Sequence, residues 1–386
     1  MAIIAGEMML CAAIVRRLAI PAIVLLSGGC GSRFVLSSGP GGSTPASGGS
    51  NYAQNAKTAV AVLQSWYSPG SGLYASPSGW WNAANSMTAL ANYARVTGDT
   101  SYNSVLANTF AAAQKSHPNF INDYYDDQQW WALAWIDAYD ATGKADYLSM
   151  AETIFANVAA NGWDTAACGG GVWWNTSKTY KNAIPNELFL KLAASLANRT
   201  SGAASAGYLG WAQKEWAWFK ASGMINAENL INDGLNSTNP SACTNNGRTT
   251  WTYNQGVILG GLVELHRADP DATLIPEAEA IAGAAMSRLS VNGILTEPGK
   301  LSGGDGPQFK GIFLRNLMEL YQAIAGTSAQ AAQYRTFADA NAQSIWSSDR
   351  NSANQLGGLW QGPFDSADAT RQTSALDALI AAAAMK

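Results

Sequence analysis

The sequence predicts an all-α fold, six helical hairpins closed into a toroid, and three observations lead to it. From residue 51 onward the chain reads as helical segments broken by short Gly, Pro and Asn stretches, with no sustained period-two alternation. A unit recurs in which a helix ends in Thr-Gly, a few polar residues follow, and a Tyr opens the next helix. Long links alternate with these short turns.

Taken in order, the first segment (near 52–66) and the second (near 80–97) are separated by the long stretch from Ser68 to Gly79. The second ends in Thr97-Gly98-Asp99, and Tyr102 opens the third, near 102–115. After His117 to Tyr125 comes a helix near 126–142, ended by Thr142-Gly143-Lys144, with Tyr147 opening the next, near 146–160. Asn161 to Ala183 leads to 184–200, which closes on the looser copy Thr200-Ser201-Gly202, with Tyr208 in the following helix at 205–222. Gly223 to Thr250 precedes 251–268, and a degenerate copy around Asp269 to Leu274 leads into 271–289. Ser290 to Pro307 precedes 308–325, a further copy from Gly326 to Tyr334 leads into 329–347, and Asp349 to Thr370 precedes the last helix, 371–385. The glycines supply left-handed C-caps, and the short links turn each following helix antiparallel. A closed ring also needs no polar capping repeats. Every long link precedes an even-numbered helix, so the starts of the even helices line one open mouth.

The 386 residues exceed the common single-domain length, but helical toroids of this size fold around one core, so one large domain is expected. Charged residues are 13% of the chain and the formal net charge is -4, which excludes a basic field for nucleic acid or an anionic membrane surface. The 15 Trp and 14 Tyr suit a core, sugar stacking, or both. Residues 1–30 read as a signal peptide: Arg16 and Arg17 precede an apolar run from Leu18 to Leu26, too short for a membrane span, that ends in small residues at Ser27 to Cys30. Cys30 after Gly28 and Gly29 hints at a lipoprotein site, with Ser27 in place of the usual leucine. Membrane contact is therefore expected only through a lipid anchor at Cys30, on an otherwise secreted, extracytoplasmic, monomeric protein. Residues 31–50 are a Gly/Ser/Pro-rich linker, and the folded domain spans 51–386. With Cys11 and Cys30 in the leader, Cys168 and Cys243 remain, as one disulfide or as two buried thiols. Neither His117 nor His266 lies near a cysteine in sequence, so no zinc spacing appears.

The residues opening the even helices form a chemical set: Trp80, Trp81 and Asn85; Asp126, Asp127 and Gln128; Asn182 and Asn186; Tyr253, Asn254 and Gln255; Phe309 and Lys310; Arg371 and Gln372. Amides bond hydroxyls and aromatic faces stack on pyranose rings, so the set suits a neutral polyhydroxylated ligand, though each Asn or Asp also fits a helix cap. Asp126 and Asp127 are the sharpest feature. Two carboxyls about 5 to 5.5 Å apart serve retaining glycoside hydrolysis, and consecutive residues at a loop-to-helix junction reach that range. Their charges would push the two pKa values apart, leaving one nucleophile and one acid. The plainer use of an Asp-Asp pair is to favour a helix N-terminus. A metal-binding DDxxD is excluded because Trp130 stands at the fifth position, and Gly169-Gly170-Gly171 lacks the lysine and strand of a phosphate loop.

The run Tyr125-Asp126-Asp127-Gln128-Gln129-Trp130-Trp131-Ala132-Leu133-Ala134 resembles the signature of the glycoside hydrolase family 76 α-1,6-mannanases. Further matches lie at Cys168 to Trp174, Tyr180 to Leu188, Asp233-Gly234-Leu235, Thr252 to Gly256 and Phe309 to Asn316, in the family's order from about residue 52 to the C-terminus. The resemblance implies an (α/α)6 barrel and retaining endo-hydrolysis of α-1,6-mannan, of fungal or mycobacterial type, through a covalent glycosyl-enzyme. It makes Asp126 the nucleophile and Asp127 the acid/base, with no metal and no cofactor. The expected substrate contacts are Trp81, Asn85, Gln128, Trp131, Trp173, Asn182, Asp233, Tyr253, Asn254, Phe309 and Lys310. Trp130, Trp131 and Trp135 share one helix, so some must face the core. Two rival readings are a wall-remodelling mannan transglycosylase and a silent glycan-binding surface protein. A binder has no need of both aspartates.

Overall fold

The computed structural model describes residues 49–386 apart from 238, 300 and 302. The expected signal peptide, Cys30 and residues 31–48 of the linker lie outside the described residues, and its last two, Gly49 and Ser50, belong instead to the first helix. Within them, twelve α-helices follow one another: α1 Gly49–Leu63, α2 Trp80–Thr97, α3 Asn103–Ala112, α4 Tyr125–Thr142, α5 Ala145–Asn161, α6 Ala183–Arg199, α7 Gly202–Ala221, α8 Thr252–Ala268, α9 Leu274–Arg288, α10 Phe309–Ile324, α11 Gln330–Ser348 and α12 Ala369–Ala384. Each lies within a few residues of its sequence-based position.

Burial separates the helices into two rings. The even helices are covered on nearly every side, as in the unbroken buried runs Asn82–Ala94 of α2 and Ala369–Ala383 of α12. The odd helices bury one stripe each, such as Tyr147, Ala151, Ile154, Phe155 and Val158 of α5. The inner helices touch in the cyclic order α2, α4, α6, α8, α10, α12 and back to α2, and each outer helix packs on the inner ring. The fold is an (α/α)6 barrel. Gly98 (φ 75°) and Gly143 (φ 70°) end α2 and α4 in the left-handed conformation, which fixes the tight turn into each outer helix.

The boundaries shift where local chemistry overrides periodicity. The first and third helices tighten into single 3-10 turns at Gln64–Trp66 and Ala113–Lys115. Helix α9 starts at Leu274 because the Asp271 carboxylate accepts from the backbone N–H and hydroxyl of Thr273, forming a turn. Helix α12 is capped by Asp368, whose carboxylate accepts from the N–H groups of Thr370 and Arg371. Three two-residue hairpins, Tyr67–Ser68 with Leu73–Tyr74, Leu235–Asn236 with Thr244–Asn245, and Ser290–Val291 with Ile294–Leu295, sit in the long links. Strands this short carry no readable alternation. Cys168 and Cys243, Cα atoms 5.2 Å apart, form a disulfide that joins the α5–α6 link to the α7–α8 link.

The amides at the even helix starts serve the links. Asn186 accepts from the N–H of Val172 (2.6 Å) and donates to its carbonyl (3.0 Å). Gln255 does the same for Ile231 at 2.8 and 2.9 Å. Gln372 accepts from the Leu356 N–H at 2.9 Å and donates to the Ala59 carbonyl, and Gln129 donates to the Pro185 carbonyl at 2.9 Å. Asn186, Gln255 and Gln372 stand in for a peptide and hold a mouth link against their helices, whereas Gln129 ties α4 to the first turn of α6.

Inner helices approach most closely at glycines. A Cβ on Gly311 of α10 would lie 2.5 Å from the Cα and carbonyl oxygen of Ser374 on α12. Gly311→Ala is expected to force the two helices apart and destabilise the fold by about 1–3 kcal/mol, read as a lower denaturant midpoint with an unchanged m-value.

Candidate active site

A cleft of about 450 Å³ opens at the mouth formed by the even helix starts, lined by Trp81, Tyr124, Asp126, Asp127, Trp130, Trp174, Tyr180, Asn182, Asp233, Tyr253, Asp305 and Phe309. Asp126 and Asp127 occupy the first turn of α4, where the helix dipole favours negative charge. The approach to that turn is set by the backbone: Tyr124 pairs with Asn175, and the Tyr125 N–H donates to the Trp174 carbonyl at 2.9 Å. That pairing carries the Trp174 indole to Asp126, where its N–H donates to Oδ2 at 3.1 Å. The other oxygen, Oδ1, is buried with no partner among the described residues. Asp127 Oδ2 accepts from the Asn122 side chain at 2.7 Å.

Burial, followed by the charge of Asp127, pushes the Asp126 carboxyl well above the usual carboxylate range, against the pull of backbone N–H groups and the Trp174 indole. Asp127 is pushed up to about 7, chiefly by burial and further by the charge of Asp305, with the Asn122 hydrogen bond opposing. The two groups titrate as a pair.

The walls are aromatic and acidic. Tyr253 and Phe309 stack in parallel at 4.0 Å, and Trp81 continues the row, 6.1 Å from Phe309 and 5.7 Å from Trp130. The Trp81 indole N–H donates to Asp305 Oδ1 at 2.8 Å, which fixes its plane. Opposite, Tyr124 meets Trp174 edge to face at 5.2 Å. Asp233 accepts from the Tyr180 hydroxyl at 2.5 Å, and its backbone is held by a bond from the Ala183 N–H and by the bridge of Gly234 to Asn182. Burial, with the charges of Asp233 and Asp126, pushes the Tyr253 phenol upward.

Of the residues expected from sequence to meet substrate, Trp81, Asn182, Asp233, Tyr253 and Phe309 reach the cleft beside Asp126 and Asp127. Six do not, each for a local reason. Asn85 lies below the floor, accepting from Arg315, which also pairs with Asp377. Gln128 donates to the Asn122 carbonyl at 2.7 Å and so holds the residue that holds Asp127. Trp131 is fully buried among Trp80, Phe120 and Trp135. Trp173 donates to Asp164 at 2.9 Å, with the Lys181 ammonium 4.6 Å over its ring. Asn254 is fully buried, and its amide has no partner among the described residues. Lys310 is buried over Trp360 and donates to the Gly358 carbonyl at 2.8 Å, and burial pushes its ammonium down to about 8.

Tyr124, Trp130, Trp174, Tyr180 and Asp305 line the cleft and were not singled out from sequence as substrate contacts. Four of them lie on long mouth links, as Asp233 does on the α7–α8 link. Trp130 belonged to a trio whose members one helix had to divide between core and cleft.

A sequence model of glycosyl hydrolase family 76 matches residues 50–386. The chain belongs to that family. Two mannan endo-1,6-α-mannosidases of Candida albicans are each 28% identical to it, one over 214 residues (50% of this chain, 46% of the relative) and one over 272 residues (64% and 59%). The chain thus spans about half the length of the curated relatives it matches. Among solved structures, an α-1,6-mannanase of Salegentibacter, an inactive variant with two consecutive aspartates replaced by asparagine and α-1,6-mannotriose bound, superposes with a TM-score of 0.79. It is 22% identical, and the match covers 87% of this chain and all of that one.

For this family 76 chain the raised Asp127 has a consequence for stability. The folded protein favours the protonated carboxyl, so its contribution is most favourable below about pH 3.8 and is lost as pH rises through about 7. Asp127→Asn removes that loss. At pH 8 the variant is expected to exceed the wild type in stability by on the order of 1 kcal/mol or more, and near pH 4 the two should converge, as followed by thermal unfolding.

Proposed function

We propose that the protein is a retaining endo-α-1,6-mannanase, and the observation that carries this is the adjacent Asp126 and Asp127, both raised in pKa, at the base of an aromatic cleft. The names of the relatives support the substrate, and the two replaced aspartates of the inactive mannanase variant support the catalytic pair. The parallel rings of Tyr253 and Phe309 suit the apolar face of a pyranose, and Asp233, Asn182 and Tyr180 suit its hydroxyls.

In the first step an Asp126 oxygen attacks the anomeric carbon while Asp127 gives its proton to the departing glycosidic oxygen, leaving a glycosyl ester on Asp126. In the second, Asp127 takes a proton from water as the water oxygen displaces Asp126, and the pair returns to its starting protonation. Burial disfavours the ionised form of Asp126. The Trp174 indole, the backbone N–H donors and the positive charge that develops at the anomeric carbon favour its carboxylate form. The chemistry needs only the two carboxyls and water.

The protein is read as working outside the cytoplasm and as a monomer. Its disulfide and the leader expected at residues 1–30 support export, and the three exposed large apolar residues among those described, Tyr124, Val291 and Leu359, are scattered.

Purified protein is expected to release oligosaccharides from debranched α-1,6-mannan with retained configuration, as followed by NMR of the fresh product. Asp126→Asn and Asp127→Asn should each lower kcat by about 10³-fold or more while remaining folded by circular dichroism. Absence of product from the wild type would sink the mannanase reading, and an active variant would remove the role given to that residue. With Asp127 as the acid, kcat/KM should fall on the alkaline side around pH 7, where the carboxyl loses its proton.

A further inference from the structure

Beside the cleft, and sharing Tyr180 with it, lies a second open groove of about 590 Å³ between the α5–α6 and α7–α8 links. Thr179, Tyr180, Leu235, Ser237, Asn246 and Arg248 contribute to its lining. The size falls in the range of small-ligand sites, about 300–1,000 Å³. The groove is built in advance of any ligand. The Cys168–Cys243 disulfide, a Cys168 N–H to Pro240 carbonyl bond of 2.8 Å and the Leu235 N–H to Lys181 carbonyl bond of 3.0 Å all tie one wall to the other.

Most polar groups of the groove are spent on the loop itself. The Asn246 amide donates to the Tyr180 hydroxyl at 2.9 Å and accepts from the Arg248 N–H at 2.9 Å. The Asn245 amide donates to the Gly223 carbonyl at 2.8 Å and to Asn232 at 3.0 Å. Arg248 is different. Its guanidinium lies over the Tyr180 ring, 6.0 Å from the centroid, and donates to no acceptor among the described residues. Every other described arginine meets a carboxylate within 4.0 Å or, at Arg350, the amide oxygen of Asn354. An unpaired guanidinium standing over an aromatic ring, in a chain of net charge -4, offers a fork of N–H donors that fits an oxyanion and is wasted on a neutral hydroxyl. Tyr180 carries the connection onward, because the same residue that faces Arg248 bonds Asp233 in the cleft.

We propose that this groove is a subsite for an anionic substituent, a phosphate ester or a carboxylate, on the glycan held in the adjacent cleft, and that Arg248 is the residue that selects it. The inference rests on the glycan-cleaving reading of the cleft and narrows the substrate to a charge-bearing mannan.

The test compares a phosphorylated α-1,6-mannan, the same polymer after phosphatase treatment, and a uronate-bearing α-1,6-mannan. The readout is the ratio of kcat/KM on each charged polymer to that on the phosphatase-treated one. Wild type is expected to favour at least one charged polymer by about threefold or more, Arg248→Gln to bring that ratio to one, Arg248→Lys to keep part of it, and 0.5 M NaCl to erase it. Whichever polymer is favoured identifies the anion. A ratio of one in the wild type, or a ratio that Arg248→Gln leaves unchanged, overturns the proposal. Binding of the same polymers by affinity electrophoresis, in an Asp126→Asn/Asp127→Asn background, keeps the two readings apart. Loss of charged-polymer retention with Arg248→Gln there upholds the anion subsite even if the wild type cleaves nothing, and equal retention overturns it.

Discussion

Helices buried on all sides must run at backbone contact distance, and in this barrel that requirement falls on six helices at once. Gly256 of α8 lies against the Cα of Phe313, Gly311 of α10 lies against Ser374, and α12 ends in a run of four alanines, Ala381 to Ala384. Small residues at these crossings let the ring close, and closure puts the first turns of all six inner helices around one opening. The α4 carboxylates, the Tyr253 ring from α8 and the Phe309 ring from α10 meet because their helices start at the same end. No loop has to span the barrel to bring them together.

The opening would still be shapeless without the links, and the links are held by buried amides. Asn186, Gln255 and Gln372 each bind a link backbone from the first turn of an inner helix, and Asn341 of α11 does so for Leu295 from the outer ring. Lys181 adds a buried ammonium that donates to the carbonyls of Asp164, Ala167 and Gly170. Asn186 and Gln255 thereby hold the link segments next to Trp174 and Asp233 without touching the cleft, and Asn82, donating to the Gly304 carbonyl at 3.1 Å, does so for Asp305. Gln128 extends the same logic to the α4 carboxylates, since it anchors Asn122 and Asn122 anchors Asp127.

Below the floor the barrel axis is polar. Arg315 bridges Asn85 and Asp377, its guanidinium 5.5 Å from the Trp130 ring, and Lys191 joins Asn316 to Glu319. Burial nonetheless pushes Asp377 up to about 7, against the pull of Arg315. Asp126 and Asp127 are likewise raised by burial and by neighbouring acids, opposed by hydrogen bonds from backbone N–H groups and Trp174 at Asp126 and from Asn122 at Asp127.

The sequence by itself determined twelve helices, their antiparallel pairing and the end at which the even helices begin, because periodicity and Thr-Gly caps are local signals. It also determined that Asp126 and Asp127 sit at a helix start. Only the tertiary structure decided which polar residues at those starts face the cleft. Asn85, Gln128, Asn254 and Lys310 have the composition of a sugar site, and packing turned Asn85, Gln128 and Lys310 toward backbone and buried partners and buried Asn254 with no partner among the described residues. Tyr124, Trp174, Tyr180 and Asp305 lie in links with no periodicity to read, and a disulfide and long-range backbone pairings carry them to the mouth. Helix formation depends on neighbours three and four residues away, whereas the cleft depends on contacts between links and helices distant in the chain.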